Sequence, residues 1–182
     1  MSSKINKFLT QVATYLNVPC GKITLDQFGV PVRTINNTSS KSLFNILKIY
    51  LKEASKEELL GKTEYEQAQV YQFIEYASVY IIGSNLQQIV NEILPHIHGW
   101  LAVNTYLCGT KMTIADIILY YLLFDTLSEI SHLEQVRFLN VFRWLDNIQE
   151  NRELRQKNSI ILFNTNLASC GDMLNQKYIY NF

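Results

Sequence analysis

Cysteine, histidine, buried carboxylate and arginine are the side chains best suited to chemistry, and in this chain they stand apart from one another. Cys20, Cys108 and Cys170 are odd in number, widely spaced and without a CxxC pair, the pattern of reduced thiols in a cytosolic protein. A thiol becomes nucleophilic beside a helix N-terminus or a cation; Cys20 follows the first predicted helix, so an inert thiol is expected. His96 and His98 are two residues apart, which puts them on different faces of a helix. With no Cys or carboxylate cluster nearby they read as packing or surface residues, not a metal pair, and His132 reads as an exposed first-turn residue. GxSxG, HExxH, GxGxxG and GxxxxGKS/T are absent, which removes the usual nucleophile, zinc and phosphate signatures. No catalytic, cofactor-binding or metal-binding residue is assigned.

Asp116 is the one carboxylate set in an apolar run, and its surroundings explain it without catalysis. Thr113 and Asp116 stand three apart just before Ile117 to Phe124, the spacing of a capping box. The Thr113 hydroxyl is expected to accept from the Asp116 N–H while the Asp116 carboxylate accepts from the Thr113 N–H. Met112 and Ile117 occupy staple positions. The helix that follows is apolar on nearly every face and so should be the buried centre of the fold.

The other elements are predicted around it. Residues 4 to 16 carry Ile5, Phe8, Leu9, Val12 and Leu16 at helical spacing. Ile23 to Leu25 and Val30 to Ile35 read as short strands, and residues 36 to 40 as a loop of cap formers. Ser40 or Ser42 is expected to cap a helix with Leu43, Ile46, Leu47, Tyr50 and Leu51 inward. A long helix runs from Thr63 or Glu64 to about Ile82. A second, near Leu86 to Leu101, should be kinked or shifted by Pro95. Ser131 and Glu134 form a second capping box, and Asn140 is expected to cap a helix with Val141, Trp144, Leu145 and Ile148 inward. The predicted organisation is a lobe over residues 1–56, a helical domain over 57–164 and a tail over 165–182.

The 182 residues are 48% hydrophobic, with eleven Tyr and nine Phe, and the formal net charge is zero. That composition excludes a disordered chain. Zero net charge argues against general nucleic-acid binding, which needs surplus Lys and Arg. A charge-balanced surface also suits a protein partly covered by a partner. The first residues lack a signal peptide's apolar core. The longest apolar stretch falls well short of the ~20 residues a bilayer crossing requires, so a soluble cytoplasmic protein is expected.

The segment Tyr106-Leu107-Cys108-Gly109 with Met112-Thr113-Ile114-Ala115-Asp116 resembles the capping-box segment of the helical domain of glutathione transferase-like proteins. Asn140-Val141-Phe142-Arg143-Trp144 with Asn147-Ile148-Gln149 resembles that domain's next helix. Leu59-Leu60-Gly61, Val30-Pro31-Val32 with Asn36-Asn37, and Asp116 to Tyr121 resemble the auxiliary subunits of the animal multi-aminoacyl-tRNA synthetase complex, the elongation factor one epsilon type. The resemblance covers roughly residues 24 to 164. It implies a mostly α, glutathione S-transferase-like fold, with a truncated thioredoxin-like α/β lobe before the helical domain and a cis-proline at Pro31. It also implies a non-catalytic scaffold in a hetero-oligomer with the transferase-like domains of methionyl-tRNA synthetase and glutamyl-prolyl-tRNA synthetase, cytoplasmic and on occasion nuclear, without direct nucleic-acid or membrane binding. Arg143, beside Phe142, would meet one partner; Phe44, Tyr50, Gln67 and Tyr71, with Tyr65 and Tyr80, would supply the other contact surface. Thr113, Asp116, Trp144 and Pro31 would be structural.

Two alternatives stay open at this level. One is an active glutathione transferase with a shortened first half. Against it, the chain begins with a helix where the transferases have a strand delivering a Tyr, Ser or Cys to the glutathione sulfur, and no acidic residue precedes Ser40 or Ser42. The other is a transferase-like module of elongation factor one or a tRNA-binding aid.

Overall fold

The structure, a computed structural model, describes residues 2–163; the predicted tail and Cys170 lie outside them. Helix α1 (Ser2–Leu16) comes first. A three-stranded antiparallel meander follows, β1 (Lys22–Leu25), β2 (Pro31–Ile35) and β3 (Thr38–Lys41), in the order β1-β2-β3. Helix α2 (Leu43–Glu53) and a 3₁₀ turn (Glu57–Leu60) lead to α3 (Glu64–Tyr76), whose axis continues as a π-helical segment through Ile81. The short α4 (Leu86–Gln88) runs through a second π segment into α5 (Leu94–Trp100). Then come α6 (Ile114–Glu129), α7 (His132–Arg137), α8 (Leu139–Gln149) and α9 (Arg152–Arg155).

Helix α6 is the centre of the molecule. Every residue from Ile114 to Phe124 is buried, and α1 and α3 pack against it. Its polar atoms are satisfied from neighbouring elements, as burial demands. The Tyr121 hydroxyl donates to the Leu154 carbonyl at 2.6 Å and accepts from Gln156 Nε2 at 2.9 Å. Asn158 reaches the Tyr120 hydroxyl at 3.3 Å. Lys7 of α1 pairs with Asp125 at 2.6 Å where the helix reaches the surface.

The leading lobe departs from expectation in several places. Residues 38 to 41 form a third strand and not a loop, because Asn36 and Asn37 take φ of 44° and 61°. Two consecutive left-handed residues make the two-residue hairpin turn that Asn favours. Ser42 stands at the N-cap of α2 with φ 80° but makes no side-chain cap bond. Its N–H instead donates to the Pro31 carbonyl at 3.0 Å, extending the β2–β3 ladder by one bond. The expected cis-proline is also corrected: no cis peptide occurs among the described residues, and Val30–Pro31 is trans, with Pro31 opening β2.

In the helical part, Pro95 lies in the first turn of α5, directly after the π segment Ile89–Ile93. Its missing N–H therefore falls where regular α-helical bonding has already changed register. The Ser131–Glu134 box forms. Asn140 does not cap α8, which starts one residue earlier behind Phe138; its Nδ2 donates to the His98 carbonyl at 3.3 Å.

Candidate partner-binding surface and its supports

Two buried polar clusters hold the surface elements in place. At the start of α6 the capping box is present, with the Asp116 carboxylate at its centre. Oδ2 accepts from the Thr113 N–H at 2.8 Å and from the Thr113 hydroxyl at 2.9 Å. Oδ1 accepts from the Leu107 N–H at 2.9 Å and from the Trp144 indole N–H at 3.0 Å. One carboxylate thus joins α6, the 101–113 loop and α8. Burial raises its pKa, while the four donors, all suited to the ionised form, oppose that shift. Trp144 was expected to pack inward; its indole bond to Asp116 has no signature in spacing, since the two residues are 28 apart.

The second cluster was not foreseen. Arg33, buried on β2, makes a bidentate pair with Glu53 of α2 at 3.0 and 2.9 Å. It also donates to the Cys20 carbonyl at 3.1 Å and the Pro19 carbonyl at 2.7 Å, and its guanidinium lies 4.8 Å from the Tyr50 ring centroid. Strand alternation would have placed Arg33 on the same inward face as Pro31, but the sequence gives no cue to Glu53 as its partner.

The predicted contact residues separate into outer and inner groups. Tyr50 and Phe142 are fully buried, so the expectation that they meet a partner is corrected. Tyr50 packs against Arg33, and its hydroxyl donates to the Cys20 carbonyl at 2.9 Å; burial raises its pKa. Phe142 points inward against Phe163, ring centroids 5.4 Å apart. Phe44 and Tyr71 come together across α2 and α3, edge to face at 4.7 Å, and Tyr71 leaves 45% of its surface open. Gln67 is exposed one turn before Tyr71 and donates to the Gly61 carbonyl at 3.2 Å. Tyr65, Val79 and Tyr80 are also exposed along this helix and its extension.

Arg143 is exposed on α8, and part of its guanidinium is already engaged. Nη2 donates to the Leu101 carbonyl at the end of α5 and to the Asn104 carbonyl at 2.9 Å. Between those two carbonyls sits Val103, 87% exposed. Arg143 therefore ties down a loop that presents an apolar side chain to solvent. Val103 carries no motif and was missed.

Cys108 is half-buried, and burial pushes its thiol up to about 12. The Cys20 sulfur lies 3.4 Å from the Tyr50 hydroxyl. His96 is exposed, with its Nδ1 3.4 Å from the Tyr76 hydroxyl. His98 faces Asn140. No cluster of three or more His, Cys, Asp or Glu able to hold a metal occurs among the described residues, and no described helix is long and apolar enough to cross a membrane.

A helical domain centred on a buried, capped helix and preceded by a small α/β lobe is the glutathione transferase-like fold. The chain superposes on a glutathione S-transferase from Pichia kudriavzevii with a TM-score of 0.66 at 17% identity, covering 96% of this chain and 94% of that one. The bacterial transferase BphK gives 0.62 at 12% identity, over 85% and 94%. At these identities the likeness concerns the fold alone. Residues 66–152 match the family model described as nuclear-export cofactor Arc1p. Over 135 residues the chain is 36% identical to eukaryotic translation elongation factor 1 epsilon-1 of Cricetulus griseus, spanning 74% of this chain and 78% of that protein. The Homo sapiens protein of the same name is 35% identical over the same shares. The chain belongs to the eukaryotic translation elongation factor 1 epsilon-1 family.

Proposed function

We propose that this chain is a non-catalytic adaptor of the translation machinery. It docks onto the transferase-like domains of methionyl- and glutamyl-prolyl-tRNA synthetases and raises the local concentration of its partners without chemistry of its own. The observation that carries the reading is the exposed aromatic surface built by Phe44 of α2 against Tyr71 of α3, with Gln67 exposed one turn before Tyr71. Aromatic side chains held by packing lose little entropy on binding and serve as interface anchors. Membership of a family named for translation elongation and the match to an Arc1p cofactor model support a role in that machinery.

The second docking region is the Arg143–Val103 unit. Arg143 acts there in two ways, holding the loop that carries Val103 and offering its Nε and Nη1, which have no partner among the described residues. The hetero-oligomer would work in the cytoplasm.

Against transferase chemistry stand a trans Val30–Pro31 bond and a Ser42 N–H already bonded to Pro31. The test is isothermal titration of the chain with each isolated synthetase domain. Binding to both, with Phe44→Ala/Tyr71→Ala weakening one partner and Val103→Asp the other, supports the adaptor. Binding to neither, or glutathione turnover comparable to that of a known transferase, overturns it.

A further inference from the structure

Beside the docking face, β3 and α2 enclose an open groove of about 450 Å³, lined on the strand side by Ser39 to Lys41 and on the helix side by Asn45, Lys48, Ile49 and Lys52. Among the described residues, no further strand pairs with the outer edge of β3. Its hydrogen-bonding direction follows from the hairpin. The two-residue turn closes on the pair Ile35–Thr38, and the Ser42 N–H bonds Pro31, so Thr38, Ser40 and Ser42 face β2. By the alternation of an antiparallel ladder, the backbone groups of Ser39 and Lys41 point outward into the groove. The Lys41 carbonyl is taken by Asn45 Nδ2 at 3.1 Å. Among the described residues nothing pairs with the N–H and C=O of Ser39 or the N–H of Lys41, which can take a new strand.

The charge of the groove is one-sided. Lys41, Lys48 and Lys52 line it, and none of them is in an ion pair among the described residues. Lysines on an edge strand can simply discourage pairing. Here two of the three stand on the facing helix, four residues apart, where like charges disfavour the helix itself. An acidic ligand would relieve that repulsion. A strand edge with open donors and an acceptor, walled by a helix, is the geometry of strand addition.

We propose that this groove binds an extended acidic segment of a partner polypeptide, which adds to β3 as a fourth strand with its carboxylates against Lys41, Lys48 and Lys52. A nucleic acid fits less well: a DNA backbone offers no donor for the Ser39 carbonyl, and no aromatic ring among the described residues lines the groove for the base stacking that single strands of either kind rely on. The inference goes beyond the adaptor reading and does not rest on it.

The test is fluorescence anisotropy of the full chain with a labelled decapeptide of alternating Glu and Val. Three further probes accompany it: the same peptide N-methylated at alternate residues, its Lys/Val counterpart and a labelled ten-nucleotide single strand. The Glu/Val peptide should bind, and the Lys/Val peptide should not. N-methylation on the pairing edge should abolish binding, and Lys48→Glu/Lys52→Glu should weaken it by roughly tenfold or more, since the attraction is electrostatic. Ser39→Pro removes an outward N–H and no ladder bond, and should weaken binding by about fivefold, the worth of one hydrogen bond. If that variant does not fold, the N-methylated peptide asks the same question of the unaltered chain. Absence of Glu/Val binding at millimolar peptide, insensitivity to N-methylation, or equal binding of the oligonucleotide would overturn the proposal.

Discussion

Asp116→Asn should be the most destabilising near-isosteric change in this chain. The carboxylate accepts four hydrogen bonds, two at each oxygen. An amide keeps one oxygen and replaces the other with an NH2 group that faces donors. Whichever way it is turned, two donors lose their acceptor: the Leu107 N–H and the Trp144 indole N–H on one side, or the Thr113 N–H and hydroxyl on the other. Each buried, unsatisfied donor costs about 1–3 kcal/mol. Rotation of the Thr113 hydroxyl recovers part of this in one orientation, so a total of about 3–4 kcal/mol is expected. For a domain of this size that lowers Tm by about 6–16 °C. Urea denaturation followed by tryptophan fluorescence measures the free energy, and calorimetry the midpoint. A double-mutant cycle with Trp144→Phe isolates the bond between α6 and α8; coupling of about 1–3 kcal/mol is expected for groups in contact. A loss under about 1 kcal/mol for Asp116→Asn, or zero coupling to Trp144, would refute the view that this carboxylate joins three elements.

Arg33→Met should cost about 3 kcal/mol by the same assay, because the Pro19 carbonyl loses its donor and the Cys20 carbonyl keeps only the Tyr50 hydroxyl, while Glu53, one-third exposed, falls back on water. Arg33→Lys should recover little of that, since one ammonium cannot reproduce the bidentate pair and both carbonyl bonds. Arg143→Ala should lower stability by about 1 kcal/mol, the worth of its carbonyl bonds, and should raise hydrogen exchange in the 101–104 loop without unfolding the chain. For Cys108 the ordinary pKa of 9.0 gives a thiol half ionised at pH 9, whereas a value pushed up to about 12 leaves about one in a thousand as thiolate. Site-resolved alkylation at pH 9 should therefore be on the order of several hundredfold slower in the folded chain than in urea. The folded state holds the proton more tightly, so this thiol's contribution to stability is complete below pH 9 and is lost as pH rises towards 12.

The legible parts of this molecule are those written locally. The Thr113–Asp116 and Ser131–Glu134 boxes, the apolar run of α6 and the break at Pro95 each depend on residues within one or two turns, and each forms where the spacing places it. The third strand was missed because Thr38-Ser39-Ser40-Lys41 has no apolar alternation. It is held by the Asn36–Asn37 turn and by pairing to β2, not by burial of its own side chains. Ser42 looks like a helix cap, but ladder geometry claims its backbone first. Tyr50 and Phe142 have the aromatic character of interface anchors, yet each sits on the inward stripe of an amphipathic helix. Periodicity marks that stripe as apolar without saying which ring at its margin reaches solvent.

What spacing could not reveal is how the surface is tied to the core. Asp116 reaches Trp144 across 28 residues, and Arg33 reaches Glu53 across 20. These pairs stand behind the two proposed docking regions: Asp116 fixes α8, which carries Arg143, and Arg33 fixes α2, which carries Phe44. A carboxylate that accepts only from its own protein's donors, at full burial, has no lone pair free for a substrate. Its energy goes into orientation. That suits the proposed docking regions, which hold Phe44 with Tyr71, and Val103 with Arg143, in fixed positions, because side chains already immobilised lose less entropy when they bind.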